Sequence, residues 1–269
     1  MADVKIEQLT LRSLRLSISG MGRQLGTATG IVVQAKEKLF LVSNRHVFTG
    51  RNHETRQPLD RQGGLPDSVS VSHHKTGQLG AFVQTCERLV GTNGEVLYLE
   101  HPDPNVDVAA LPIKQQPEVD YYVTDPHHNT ALSARITVAS TVCVIGFPFG
   151  LSSHEHFPIW KTGSIACEPD VPYQGHPCFL VDAATRGGMS GSPVYAVFRG
   201  PYAVEGGGTA LGSGEVSRFM GIYSGRLLIP APIREQLSEL TTGLLADLGS
   251  DLGMVWRPQV IDELLSRAT

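Results

Sequence analysis

Thr185-Arg186-Gly187-Gly188-Met189-Ser190-Gly191-Ser192-Pro193-Val194 sets a Gly-rich bend around one central serine, with the β-type run Pro193 to Val197 directly behind it. Glycine adopts backbone angles that residues with a Cβ resist, and the missing Cβ lets another group approach main-chain N–H groups. A serine so placed, with an imidazole behind it, is a nucleophile beside an anion-stabilising pair of amides. The same stretch also reads as an ordinary Gly/Ser turn. The rest of the chain must supply the partners.

An imidazole stands upstream. Leu14, Leu16 and Ile18 alternate with Arg15 and Ser17, and Gly26 to Val33 and Leu39 to Val42 read as strands about the turn Ala35 to Lys38. This hairpin runs into Ser43-Asn44-Arg45-His46-Val47, so His46 is expected at a strand's end, where a rigid scaffold presents its side chain. Residues 50–68 are polar and rich in Gly, Pro, Arg and Asn, as in a surface loop. Strand-like runs follow at 69–71, 80–83 and 95–99, then at Val106-Asp107-Val108-Ala109-Ala110-Leu111. Asp107 is a carboxylate inside an apolar run. It either faces water on an edge strand or is buried against a partner, since burying an unpaired charge is costly.

From Lys114 to about Thr130 the composition turns polar, which places a domain connection there and divides the chain into 1–125 and 126–269. Short strands are expected at 134–138, 142–145, 163–166, 179–182, 193–197 and 219–223, with Glu205 to Gly214 as a Gly-rich hairpin tip. Many short strands without interleaved helices indicate an all-β fold of antiparallel barrels or a sandwich. Helical spacing appears only late, at 232–247 (Ile233, Leu237, Leu240, Leu244) and 258–267 (Val260, Ile261, Leu264, Leu265).

Bulk properties narrow the function classes. The hydrophobic fraction of 41%, mean hydropathy of -0.05, net charge of -4 and pI near 6.2 are those of a globular protein without a nucleic-acid or anionic-membrane partner held by charge. The N-terminus lacks the pattern of a signal peptide and no stretch reaches membrane-span length, so a cytoplasmic location is expected. Cys86, Cys143, Cys167 and Cys178 form no Cys-x-x-Cys pair and are expected as reduced thiols. The doublets His73-His74 and His127-His128 and the pair His154, His156 lack zinc-ligand spacing, so no metal or other cofactor is expected.

The order His46, Asp107, Ser190 completes the pattern. Ser43-Asn44-Arg45-His46-Val47, Asn105-Val106-Asp107-Val108-Ala109 and Gly188-Met189-Ser190-Gly191-Ser192-Pro193 resemble the three active-site blocks of chymotrypsin-like (trypsin-like) serine proteases. Gly146-Phe147-Pro148-Phe149-Gly150 and Val181-Asp182-Ala183-Ala184 are similar to the HtrA-type bacterial proteases, and Trp160 to Ile165 with Ser190 to Pro193 to the glutamyl endopeptidases. The resemblance spans about residues 26–226, with Gly253 to Trp256 and the last helix completing the fold. It implies two antiparallel six-stranded β-barrels with C-terminal helices, the first carrying His46 and Asp107 and the second Ser190. It also implies a serine endopeptidase acting on protein or peptide substrates: Ser190 as nucleophile, His46 as base, Asp107 as its orienting carboxylate, and the N–H groups of Gly188 and Ser190 as oxyanion hole.

Departures from the family pattern matter too. Met189 replaces the Asp by which zymogen-type relatives latch a new N-terminus, the chain after 226 is too short for a PDZ domain, and the disulfides of secreted relatives are missing. The pocket for P1, the substrate residue on the acyl side of the cleaved bond, is implied to be lined by Ala184, Thr185, Tyr223, Ser224, Gly225 and Arg226. Ala184 stands where trypsin has its Asp, which disfavours Lys or Arg at P1. Of the Thr and His used by glutamyl endopeptidases, Thr185 is present and Tyr223 takes the His place. Arg226 either admits an acidic P1 or faces solvent, and small or apolar P1 residues are preferred. Two alternatives remain open: a latent or inactive module that binds a protein partner on the same fold, and a protease gated by a regulatory partner through the 226–252 segment.

Overall fold

The computed structural model describes residues 5–53, 55–211, 214–227 and 251–268. The first half is an antiparallel sheet of β1 (Leu14–Gly20), β2 (Arg23–Ala35), β3 (Lys38–Ser43), β4 (Ser68–Lys75), β5 (Phe82–Arg88), β6 (Leu99–Glu100), β7 (Ala109–Ile113) and β8 (Val119–Asp120), ordered β5-β4-β1-β2-β3-β7-β6 with β8 on β4. The alternation in β1 buries Leu14, Leu16 and Ile18 against Val32, Leu41, Val69, Val71 and Leu111. β4 outruns β1: Ser68 to Ser72 pair with β1, and β8 takes up the edge at His74 and Lys75. This sheet therefore has eight strands, not the six expected, and β5 and β6 are the ends of its hydrogen-bonded path.

The second half closes as a six-stranded barrel from β9 (Thr141–Gly146), β10 (Ile159–Ile165), β11 (Cys178–Asp182), β12 (Pro193–Arg199), β15 (Glu215–Arg226) and β16 (Leu252–Trp256), in the order β10-β11-β16-β15-β12-β9. Its interior is filled by Val142, Val144, Phe179, Val181, Val194, Ala196, Tyr223 and Val255. A two-stranded ribbon, β13 (Tyr202–Ala203) and β14 (Thr209–Ala210), flanks a turn in which Gly206, Gly207 and Gly208 all have positive φ. That is the hairpin tip expected for the Gly-rich segment.

The chain passes from the first sheet to the barrel between β8 and β9. Thr124 N–H still bonds to the Val32 carbonyl at 2.7 Å, while Thr130 N–H bonds to that of Ser217 at 2.8 Å. A shared core joins Ile31, Val33, Phe40 and Val42 to Ile145, Leu180, Tyr195 and Trp256. The C-terminal helix, Gln259–Ser266, packs Val260, Ile261, Leu264 and Leu265 into it, as the spacing predicts. The 232–247 helix expectation falls on residues outside those described. Residues 134–138 form no strand, and only Ala134 makes a bridge, to Val204. Among the described residues, no helix is long and apolar enough to cross a membrane, and no group of three or more His, Cys, Asp or Glu is placed to hold a metal.

Candidate active site

The pairing of β3 with β7 brings the first two residues together. Ser43 lies opposite Ala109, so the chain leaving β3 runs beside the chain entering β7. His46 sits one turn past the strand end, on α1 (Arg45–Thr49), which Gly50 terminates in the left-handed region at φ 65° with its N–H on the His46 carbonyl at 2.9 Å. Asp107 lies in the connection before β7, not within a strand as expected, and is fully buried. Buried Asn44 donates its side-chain N–H to the Asp107 carbonyl at 2.7 Å and fixes this approach.

The Ser190 bend is anchored by both halves. Gly191 N–H bonds to the Tyr223 carbonyl at 2.9 Å and Tyr223 N–H to that of Ser192 at 2.8 Å, setting Ser190 beside Ser224 at the end of β15. Thr29 N–H of β2 donates to the Ser190 carbonyl at 2.8 Å. Met189 is completely buried in the second barrel's interior, which locks the bend from below.

Three side chains then form one line. Asp107 Oδ2 lies 2.6 Å from His46 Nδ1, Asp107 Oδ1 accepts the His46 backbone N–H at 2.8 Å, and His46 Nε2 lies 2.9 Å from Ser190 Oγ. Ser224 Oγ donates to Asp107 Oδ2 at 2.6 Å. Burial by itself would raise the Asp107 pKa, but the charge and hydrogen bond of His46, the charge of His53 and the Ser224 hydroxyl outweigh it and hold the carboxyl below its ordinary range. A carboxylate at Nδ1 requires the proton on that nitrogen, which leaves Nε2 of the neutral ring as an acceptor facing Ser190. The Ser190 hydroxyl has one proton and a second acceptor in reach, the Ser224 carbonyl at 2.9 Å.

The Gly187 carbonyl accepts Phe149 N–H at 2.5 Å. In a planar trans peptide the Gly188 N–H must point the opposite way. Neither that N–H nor the N–H of Ser190 donates to another described residue. Gly188 has φ 90°, and a Cβ on it would lie 2.3 Å from the Phe147 carbonyl oxygen, so only glycine fits. Thr29 Oγ1 donates to the Gly188 carbonyl at 2.9 Å and accepts Phe147 N–H at 3.2 Å.

The six residues expected around P1 divide. Ser224, Gly225 and Arg226 line a cavity of about 200 Å³ with His46, His53, Leu227, Met254 and Ser190. Thr185 and Tyr223 are buried, and Ala184 is exposed and lines no cavity against Ser190. A second cavity of about 180 Å³ lies on the other side of Ser190, lined by Ile18, Leu25, Ala28, Val47, Leu59 and Pro66 among others. Sequence reasoning missed Thr29, Asn44, Phe149 and the bond from Ser224 to Asp107. The polar pair Ser43-Asn44 closing an apolar strand was the one signal within reach.

A family model described as a trypsin-like peptidase domain matches residues 28–200. Among solved structures, the chain is similar to a serine endoprotease from Yersinia pestis, at 13% identity over 98% of this chain and 67% of that one, with a TM-score of 0.49. It is also similar to the Rv3671c protease from M. tuberculosis in its active form, at 16% identity over 96% of this chain and 81% of that one, with a TM-score of 0.47. No curated protein matches the chain. With its mostly β architecture and a family model spanning more than half its length, the chain belongs to the trypsin-like peptidase domain family.

Proposed function

We propose that the protein is a serine endopeptidase in which Ser190 is the nucleophile, His46 the general base and acid, Asp107 the carboxylate that orients it, and the N–H groups of Gly188 and Ser190 the oxyanion hole. The observation that carries this reading is the unbroken line from Asp107 Oδ2 through His46 to Ser190 Oγ, at 2.6 and 2.9 Å, in a bend whose Gly188 and Ser190 N–H groups bond to no other described residue. Ser190 Oγ bonds to the scissile carbonyl carbon while its proton passes to His46 Nε2. The carbonyl oxygen takes the negative charge and accepts from Gly188 and Ser190 N–H. The C–N bond breaks as His46 returns the proton to the leaving amine. Water then repeats the sequence on the acyl-enzyme, giving up a proton to His46, and Ser190 recovers its own.

The same reading takes the eight-stranded sheet as the first of two barrels, with the domain boundary near residue 125, and the substrate as protein or peptide chain running past Ser224, Gly225 and Arg226. A cytoplasmic location belongs to it as well, supported by four free cysteines, of which Cys86 is exposed. A regulatory partner acting through the 226–252 segment is part of the same proposal. Digestion of a proteome-derived peptide library tests the reading. The protein cleaves it, and Ser190→Ala and His46→Ala do not. A folded wild-type protein that leaves the library intact rules the reading out.

A further inference from the structure

The two walls expected to bound the P1 pocket are tied to each other. Thr185, from the stretch ahead of the serine, and Tyr223, from β15, share a hydrogen bond between their hydroxyl groups. Thr185 is 0% and Tyr223 1% exposed. The tyrosine ring also reaches a third wall: a Cβ on Gly253 of β16 would lie 2.3 Å from Tyr223 Cε2 and 2.8 Å from its hydroxyl oxygen. The ring belongs to the same buried cluster as Val142, Ala183, Met189 and Val255. A buried hydroxyl needs a partner, and Thr185 provides it. Desolvation pushes the Tyr223 pKa up to about 12, so the phenol keeps its proton.

Among the described residues, the two cavities that reach Ser190 run elsewhere. The cavity on the β15 side runs along Ser224, Gly225, Arg226, Leu227 and Met254, and the one on the β2 side along Ile18, Leu25 and Leu59. Neither includes Thr185 or Tyr223. Where a deep side-chain pocket would open between the walls, an aromatic ring stands, held at its tip by Thr185 and along its edge by Gly253.

We propose that Tyr223 is a specificity-determining residue whose ring fills the P1 pocket and limits substrates to peptides with Gly, Ala or Ser at P1. The proposal rests on the endopeptidase reading and names the substrate class of the same site. A larger P1 side chain must displace a ring that is both packed and hydrogen-bonded, and closely packed interiors give way poorly. One surplus methylene in a shaped pocket already costs about 10- to 200-fold in specificity.

The test is the P1 profile of a proteome-derived peptide library, read by mass spectrometry for wild type, Tyr223→Val and Tyr223→Phe. Wild type is expected to favour Gly, Ala or Ser at P1 over Leu and Phe by about tenfold or more. Tyr223→Val shifts that ratio toward Leu and Phe by at least about tenfold. Tyr223→Phe keeps the ring without the hydroxyl and retains the small-residue profile, which separates the space filled from the bond made. Cleavage by wild type after Leu, Phe or Lys as readily as after Ala overturns the proposal while leaving the endopeptidase reading intact. Absence of all cleavage by folded wild type overturns both. The wild-type profile decides the matter by itself should Tyr223→Val fail to fold.

Discussion

Thr29 holds Gly188 in place from across the molecule: its side-chain hydroxyl, on strand β2 of the first sheet, donates to the Gly188 carbonyl at 2.9 Å. The same residue's N–H bonds to the Ser190 carbonyl and its Oγ1 accepts from Phe147. One buried threonine thus couples the first sheet, the 146–150 turn and the Ser190 bend. Thr29→Val, nearly equal in volume, leaves the Gly188 carbonyl and the Phe147 N–H without partners. It is expected to lower stability by about 1–3 kcal/mol in urea unfolding and to slow fluorophosphonate labelling by about tenfold or more, as loosened oxyanion donors do. Thr29→Ser keeps the hydroxyl and is expected to recover most of both. Equal labelling rates in Thr29→Val and wild type would show that the pin is structural only.

Gly188 leaves no room for a side chain, and its φ of 90° disfavours one independently. Gly188→Ala is expected to destabilise the fold by about 1–3 kcal/mol, the usual cost of such strain. Fluorophosphonate labelling is expected to be lost, because relief of the clash with Phe147 turns the Gly188 N–H away. Unchanged labelling with unchanged stability would contradict this account of the bend.

Asp107→Asn preserves shape but favours the wrong imidazole tautomer, since an amide N–H can replace the carboxylate as neighbour of Nδ1. Peptide cleavage is expected to fall by about 10⁴-fold, with the fold retained in circular dichroism. Ser224→Ala removes one donor to the same carboxylate and is expected to cost about tenfold or less, in line with a single hydrogen bond.

The fold was legible where local pattern and tertiary environment agree. Leu14, Leu16 and Ile18 alternate because one face of β1 is core and the other is not. The late helical face at Val260, Ile261, Leu264 and Leu265 packs as its spacing requires. The candidate site was legible because His46, Asp107 and Ser190, whose side chains meet in the structure, each lie in a short block of distinctive chemistry. What escaped was long-range. Thr29 is one β-branched residue among many in an apolar strand, and nothing local marks it as the partner of Gly188. Asp107 sits just before its strand because the partner strand β3 ends at Ser43, opposite Ala109, where the chain turns into α1. The number of strands in the first sheet also escaped, since two-residue strands such as β6 and β8 carry no pattern of their own.

His73, half of a histidine doublet, lies on β4 at 2% exposure with its ring edge-on to Tyr121. Desolvation first, and the neighbouring charge of His74 second, lower its pKa from 6.5 to about 4. The unfolded chain therefore binds a proton that the folded chain refuses between those values, and stability falls as pH drops through that window. The loss attributable to His73 is about 3 kcal/mol. His74, lowered chiefly by burial, adds to it in the same direction. Urea midpoints at pH 7 and pH 5 are expected to differ more for wild type than for His73→Phe. An identical pH dependence in the two would remove His73 as its source.

The central claim is that Ser190 is an activated nucleophile, and covalent labelling tests it most directly. Intact wild-type protein treated with a fluorophosphonate is expected to gain one adduct, located on Ser190 by peptide mass spectrometry, and Ser190→Ala and His46→Ala are expected to gain none. A well-folded wild type that stays unmodified, or one modified equally at other serines, would contradict the claim.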